Sequence, residues 1–203
     1  MTSRQPDDLE GVLAFLRAAE RLKTVVRSGW TSAGQPESVA EHTWRLCLMA
    51  MVLYGRADDI DLGRLLKMCL IHDLGEAIGG DVPAPAQVAG SPKAGQERVD
   101  LLSLVEPLPA AGRREILELW DEYEAASSPE AKLAKGLDKL ETILQHTQGR
   151  NPDDFDYAFN LDYGQRYTAA DPVLAALRSR LDAVTAQRAR DAGAGSGAEP
   201  EDP

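Results

Sequence analysis

Only three histidines occur in the 203 residues, and two of them, His42 and His72, fall at the polar ends of helical apolar stripes. Asp73 directly follows His72, and the segment IHDLGEAIGGD adds Glu76 and Asp81 beside the apolar run LLKMCLI. A buried imidazole or carboxylate is costly unless a donor, an opposite charge or a metal satisfies it. Imidazole nitrogen with carboxylate oxygen suits first-row divalent ions such as Mn, Co, Fe or Zn. A lone inward histidine is more often a satisfied core residue, and a lone His-Asp pair carries little. The set matters here: His42, then His72 and Asp73, then Asp138 in GLDKLET, drawn from three helices.

Those helices follow from spacing and capping. Leu9, Val12, Phe15, Leu16, Ala19 and Leu22 recur at helical intervals and predict a first helix from Asp8 to about Val26. Arg27–Glu37 (RSGWTSAGQPE) reads as a loop because Gly, Pro and small hydroxyl residues dominate it. Ser38 and Glu41 form a capping-box pattern that opens a second helix, whose stripe of Val39, His42, Leu46, Met49 and Leu53 turns His42 inward. Asp59 or Asp61 caps a third, in which Leu62, Leu65, Cys69, His72 and Glu76 share a face. A long ordered loop is expected over 79–92, then helices at about 93–105, 110–125, 129–148 and 171–189. The fold class is all-α, since no segment alternates with a period of two.

Composition narrows the function. A formal charge of −11 excludes a nucleic-acid polymer as the expected partner, because phosphate binding along a duplex needs a basic footprint. No apolar run approaches the roughly 20 residues that span a bilayer, and MTSRQPDDLE has no signal-peptide core, so a cytoplasmic protein away from membranes is expected. Cys47 and Cys69 lie in apolar helical patterns without CxxC spacing and read as buried thiols. One domain is expected through residue 190, followed by a disordered acidic Gly/Ala/Pro tail over 191–203 (DAGAGSGAEPEDP).

The ordered motifs SVAEH, HDLGE, GD and LDK resemble the HD-domain superfamily. RSGW, PESVAEHTWR, IHDLGEAIGGDVPAP and LDKLETILQ are similar, more narrowly, to the YfbR-type 5′-deoxynucleotidases over roughly residues 8–185. That resemblance implies an HD-domain helical bundle, usually a homodimer, that removes phosphate from deoxyribonucleoside 5′-monophosphates with a divalent metal.

On this reading His42, His72, Asp73 and Asp138 hold one divalent ion. Glu76, one turn beyond His72, orients or deprotonates the attacking water. Asp81 matches the acid near the leaving group, although an Asx-turn role is also open. Arg27 binds phosphate through its planar fork, and Trp30 packs on the sugar or base, unless it is a packing residue. In some relatives Arg and Trp are adjacent, whereas Ser28 and Gly29 separate them here. A weaker second cation such as Mg fits near Glu76 and Asp81. His146 reads as a surface residue, and Lys132, Lys135, Lys139 and Glu141 as a solvated charged face. Trp44 and Arg45 receive no role. The alternatives are an HD hydrolase of a cyclic nucleotide, a deoxynucleoside triphosphate or another phosphorylated metabolite, and a nucleotide- or metal-binding regulator without turnover.

Overall fold

The computed structural model describes residues 6–83 and 93–195. Ten α-helices occur among them: α1 (Pro6–Ala19), α2 (Val39–Tyr54), α3 (Leu62–Ile71), α4 (Glu76–Gly79), α5 (Lys93–Val105), α6 (Ala110–Ala125), α7 (Pro129–Gln148), α8 (Phe159–Asp162), α9 (Gln165–Thr168) and α10 (Pro172–Gly195).

The caps that fix these boundaries are sequence-encoded. Ser38 and Glu41 form the expected reciprocal box: the Ser38 hydroxyl accepts from the Glu41 N–H while the Glu41 carboxylate accepts from the Ser38 N–H. Asp61 caps α3 by accepting from the Arg64 N–H, and Ser128 caps α7 by accepting from the Ala131 N–H, with Pro129 in the first turn.

Three expectations need correction. The first helix stops at Ala19 and passes through a 3₁₀ turn, Glu20–Lys23, rather than running to Val26. The segment read as a loop contains a short antiparallel hairpin, β1 (Val26–Trp30) with β2 (Pro36–Ser38). Its turn is closed by Thr31 and Gln35 and needs the left-handed conformation of Gly34, at φ 78°. The last helix extends to Gly195, beyond the end expected near residue 189. Residues 196–203 of the expected tail, and 84–92 of the expected loop, lie outside the described residues.

Helix α7 is the axis of the bundle, packed against α2, α3, α6, α9, α10 and β1. Its Leu133, Leu137, Leu140 and Ile143 are buried with Leu46 of α2, Leu65 and Met68 of α3, Leu119 of α6 and Leu174 of α10. Burying this apolar surface is the main stabilising term, at about 25 cal/mol per Å². Helices α2, α3 and α7 therefore meet along one core, where His42, His72, Asp138 and Glu141 are buried.

Candidate metal centre and adjoining pocket

His42 and His72 bring their Nε2 atoms to a common point. His42 Nε2 lies 3.3 Å from Asp138 Oδ1 and 3.9 Å from Asp73 Oδ2, and His72 Nε2 lies 3.0 Å from Asp73 Oδ2 and 3.8 Å from Asp138 Oδ1. The structure thus gathers all four residues of the sequence-derived set, and His42, His72 and Asp138 are buried. Neither Nε2 has a hydrogen-bond partner among the described residues, so the close approach of His72 to Asp73 is a contact without hydrogen-bond geometry. Two buried imidazole nitrogens facing two carboxylate oxygens form a donor set that fits a divalent ion.

Behind these atoms the rings are locked. His72 Nδ1 lies 2.9 Å from the Cys69 carbonyl, which only accepts, so Nδ1 carries a proton. His42 Nδ1 donates to Glu141, whose other oxygen accepts from Arg45 Nε at 2.6 Å. Asp138 is oriented in the same way, since its Oδ2 accepts from Lys139 Nζ at 2.8 Å and from Tyr123 OH at 3.2 Å. Outer contacts of this kind fix which atom a ligand residue presents.

The charges are strongly coupled. Burial works against protonation of His72, but the Asp73 charge and the Asp138 contact carry its pKa up to about 10. Burial disfavours the Asp73 charge, yet His72 and Arg27 hold its carboxyl well below the usual range. In the metal-free chain a proton occupies the role of a cation. A bound ion would displace it.

Helix α3 ends at Ile71, and residues 72–75 form tight i→i+3 turns before α4 begins at Glu76. The expectation of one continuous helix through His72 and Glu76 is corrected by this break. Trp120 Nε1 satisfies the carbonyl of His72 at the break, at 3.1 Å. Glu76 is buried, and with Asp81 it lines the pocket that opens beside Asp73 and Asp138. Arg27, Ser28, Lys139, Thr142 and His146 line it too. Arg27 is pinned there: Nη1 donates to Asp73 Oδ2 at 3.1 Å and Nη2 to Thr142 Oγ1 at 3.1 Å.

Trp30 is the sequence-derived site residue that does not join this group. Its side chain is outside the pocket lining, and its carbonyl accepts from Gln145 Nε2, tying β1 to α7. Phe159 and Tyr163 supply the aromatic lining instead.

Four more expectations change. His146 is buried, with Nδ1 3.0 Å from Asn160 Oδ1, and is not a surface residue. Its position eight residues past Asp138, with Thr142 between, keeps all three near one face of α7, a spacing that could have flagged it. Glu141 is fully buried, while Lys135 and Lys139 are paired with Glu124 and Asp138. Of the expected charged face, Lys132 is exposed. Arg45, given no role, anchors Glu141. Lys139 is itself seated by Gly164, whose φ of 70° and missing Cβ leave room for the lysine stem; a Cβ there would lie 2.5 Å from Lys139 Cγ.

Among the described residues, Glu76 and Asp81 are not part of either group of three clustered metal-ligating side chains. Those groups are His42, His72 and Asp73, and Glu37, His42 and Glu141.

Comparison with known proteins places this arrangement. The model of the family described as HD domain matches residues 19–178. The 5′-deoxynucleotidase HDDC2 of Mus musculus is 39% identical over 140 residues, covering 68% of this chain and 69% of that protein. The Homo sapiens 5′-deoxynucleotidase HDDC2 is 37% identical over 155 residues, covering 71% of this chain and 75% of that protein. In three dimensions the chain is similar to the crystal structure of a predicted metal-dependent phosphohydrolase from Magnetospirillum magnetotacticum MS-1. The TM-score is 0.75 at 28% identity, over 90% of this chain and 97% of that one. The matched span carries His42 on α2, the His72–Asp73 pair in the turn after α3 and Asp138 on α7, and the chain belongs to the HD-domain family.

Proposed function

We propose that this chain is a divalent-metal-dependent phosphomonoesterase that removes phosphate from deoxyribonucleoside 5′-monophosphates. The observation that carries the reading is the donor set of buried His42, His72 and Asp138 with part-buried Asp73, beside a pocket lined by Arg27, Glu76, Asp81 and Lys139. Relatives named as 5′-deoxynucleotidases at 37–39% identity support the substrate class.

His42, His72, Asp73 and Asp138 would hold a divalent ion, which would supply Lewis acidity toward a phosphoryl oxygen and acidify water. The rest falls to the chain. Arg27, fixed by Asp73 and Thr142, keeps guanidinium N–H groups for phosphate oxygens. Glu76 accepts a proton from the water whose oxygen attacks phosphorus. Asp81, in its protonated form, donates to the departing 5′ oxygen as the P–O bond breaks, leaving a nucleoside and inorganic phosphate. Mn, Co, Fe or Zn suits the nitrogen and oxygen donors. A weaker second cation such as Mg, if taken up, would use the two pocket carboxylates Glu76 and Asp81 in their ionised forms, in place of the proton-transfer roles just given.

The same reading makes the protein a cytoplasmic homodimer acting on small nucleotides, not on nucleic-acid polymers or membranes. Two free thiols, Cys47 and Cys69, support a reducing compartment. The exposed side chains Trp44, Leu48, Met51 and Val52 on α2 support a dimer surface. Among the described residues, no helix is long and apolar enough to cross a membrane.

The test is phosphate release from matched deoxy- and ribonucleoside 5′-monophosphates, with and without Co or Mn. Metal-dependent release that favours the deoxy series is expected. Protein that contains metal but releases phosphate from neither series would direct attention to another phosphorylated metabolite.

A further inference from the structure

The pocket changes character away from the ionic cluster. Phe159, the first residue of α8, and Tyr163, which follows its last residue, both line it, with ring centroids 5.4 Å apart and planes tilted by 31°. Both are half-buried. Phe159 stands outside the hydrophobic core cluster, so core packing does not account for it.

The mount of this ring pair is rigid. Arg178 of α10 is 5% exposed; its Nε donates to Asp182 Oδ1 at 2.6 Å, while Nη1 donates to the Tyr163 carbonyl at 2.6 Å and Nη2 to the Asn160 and Leu161 carbonyls at 2.8 and 2.6 Å. A buried arginine clamping two carbonyls of a four-residue helix and that of the residue capping it satisfies groups that the helix end leaves open. Asn160 is also bonded to His146, which lines the same pocket. Lys139 joins the two halves, with Nζ 2.8 Å from Asp138 Oδ2 and 5.1 Å from the Tyr163 ring centroid.

We propose that Phe159 and Tyr163 form the wall on which the nucleobase of the substrate stacks, which makes the chain selective for nucleoside monophosphates over phosphomonoesters that lack a base. The proposal rests on the nucleotidase reading. The ionic half of the pocket accounts for the phosphate, and Phe159 and Tyr163 are the largest apolar side chains of the remaining lining, beside Val82 and Pro83. Stacking on a π-face tolerates any base, because every base has one. Selection for a base as such, with little preference among bases, is the consequence.

The experiment compares kcat/KM for dAMP, dCMP and dTMP with that for 2-deoxyribose 5-phosphate in the full chain and in Phe159→Ala, Phe159→Leu and Phe159→Trp. The preference for nucleotide over sugar phosphate should fall roughly 10- to 100-fold in Phe159→Ala, similarly for all three bases and mainly through KM. Phe159→Leu, which keeps apolar volume, should recover little of it, and Phe159→Trp most of it. A preference unchanged in folded Phe159→Ala, or full recovery by Phe159→Leu, overturns the stacking wall. Calorimetric binding of deoxyadenosine to the same proteins separates the two readings. Binding that is lost in Phe159→Ala supports the wall even if no nucleotide is hydrolysed; absence of binding to the unmodified chain, or equal binding to both, removes it.

Discussion

His42 donates from Nδ1 to Glu141, which stands three residues after Asp138 on α7, so the two helices that a metal would join in front are already joined behind it. Glu141 is in turn held by Arg45. The site's geometry is set by this second layer as much as by the ligands.

Glu141→Gln keeps an acceptor of the same shape but removes the charge that supports His42. Affinity for Co or Mn should fall roughly 10- to 100-fold, with helicity retained. Calorimetric titration of the metal checks this, and an unchanged affinity would detach Glu141 from the site.

Glu76 and Asp73 should separate cleanly. Asp73→Asn is expected to lose metal and turnover together. Glu76→Gln should keep its metal content and lose roughly 10²- to 10⁴-fold in kcat. Metal analysis beside steady-state kinetics distinguishes them, and normal turnover in Glu76→Gln would withdraw the role given to Glu76.

Arg27→Ala should raise KM roughly 10- to 100-fold, in line with loss of a charged hydrogen bond. Arg27→Lys should not restore it, because a lysine cannot hold Asp73 and Thr142 through a planar fork while meeting a phosphate. Rescue by lysine would reduce Arg27 to a simple positive charge.

Proton and metal compete at His72, so affinity for the ion should rise from pH 6 to pH 9. The metal-free protein should behave oppositely. The folded-state pKa of His72 is about 10 against an ordinary value of 6.5, so its protonated form contributes stability that is complete below about pH 6.5 and lost as pH climbs through 10. Thermal melts in chelator across this range should show Tm falling. A flat or rising profile would mean that the imidazolium is not held by Asp73 and Asp138.

Gly164→Ala places a methyl group against the stem of Lys139 in a left-handed backbone conformation. The conformational cost alone is about 1–2 kcal/mol, and Tm should drop by about 2–4 °C for each kcal/mol. A melt within a degree of the unmodified protein would show that the Lys139 stem yields freely.

The legible parts of this sequence were local or periodic. Ser38 with Glu41 announced the start of α2, and Asp61 was one of two acids offered as the cap of α3. The apolar stripes turned His42 and His72 inward, and His72–Asp73 and Asp138 supplied the remaining metal-ligating types. The errors concentrate on α7. An amphipathic reading gives a helix one buried face, which consigns Lys135, Lys139, Glu141 and His146 to solvent. Here α7 is surrounded, and each of those residues is sheltered with a partner from another segment or an adjacent residue. Partners distant in sequence leave no periodic trace. The hairpin escaped for another reason, since three residues of β2 are too few to display alternation.

The arrangement on α7 also fixes a scale. Asp138, Thr142 and His146 stand near one face of a single rigid rod, and the eight steps from first to last cover about 12 Å. The helix works as a gauge whose graduations are turns. A single residue inserted between its first and last marks would rotate the far end by about 100° and carry His146 off the pocket. The spacing of these pocket residues is therefore written into helical phase, and changing it calls for whole turns rather than single residues.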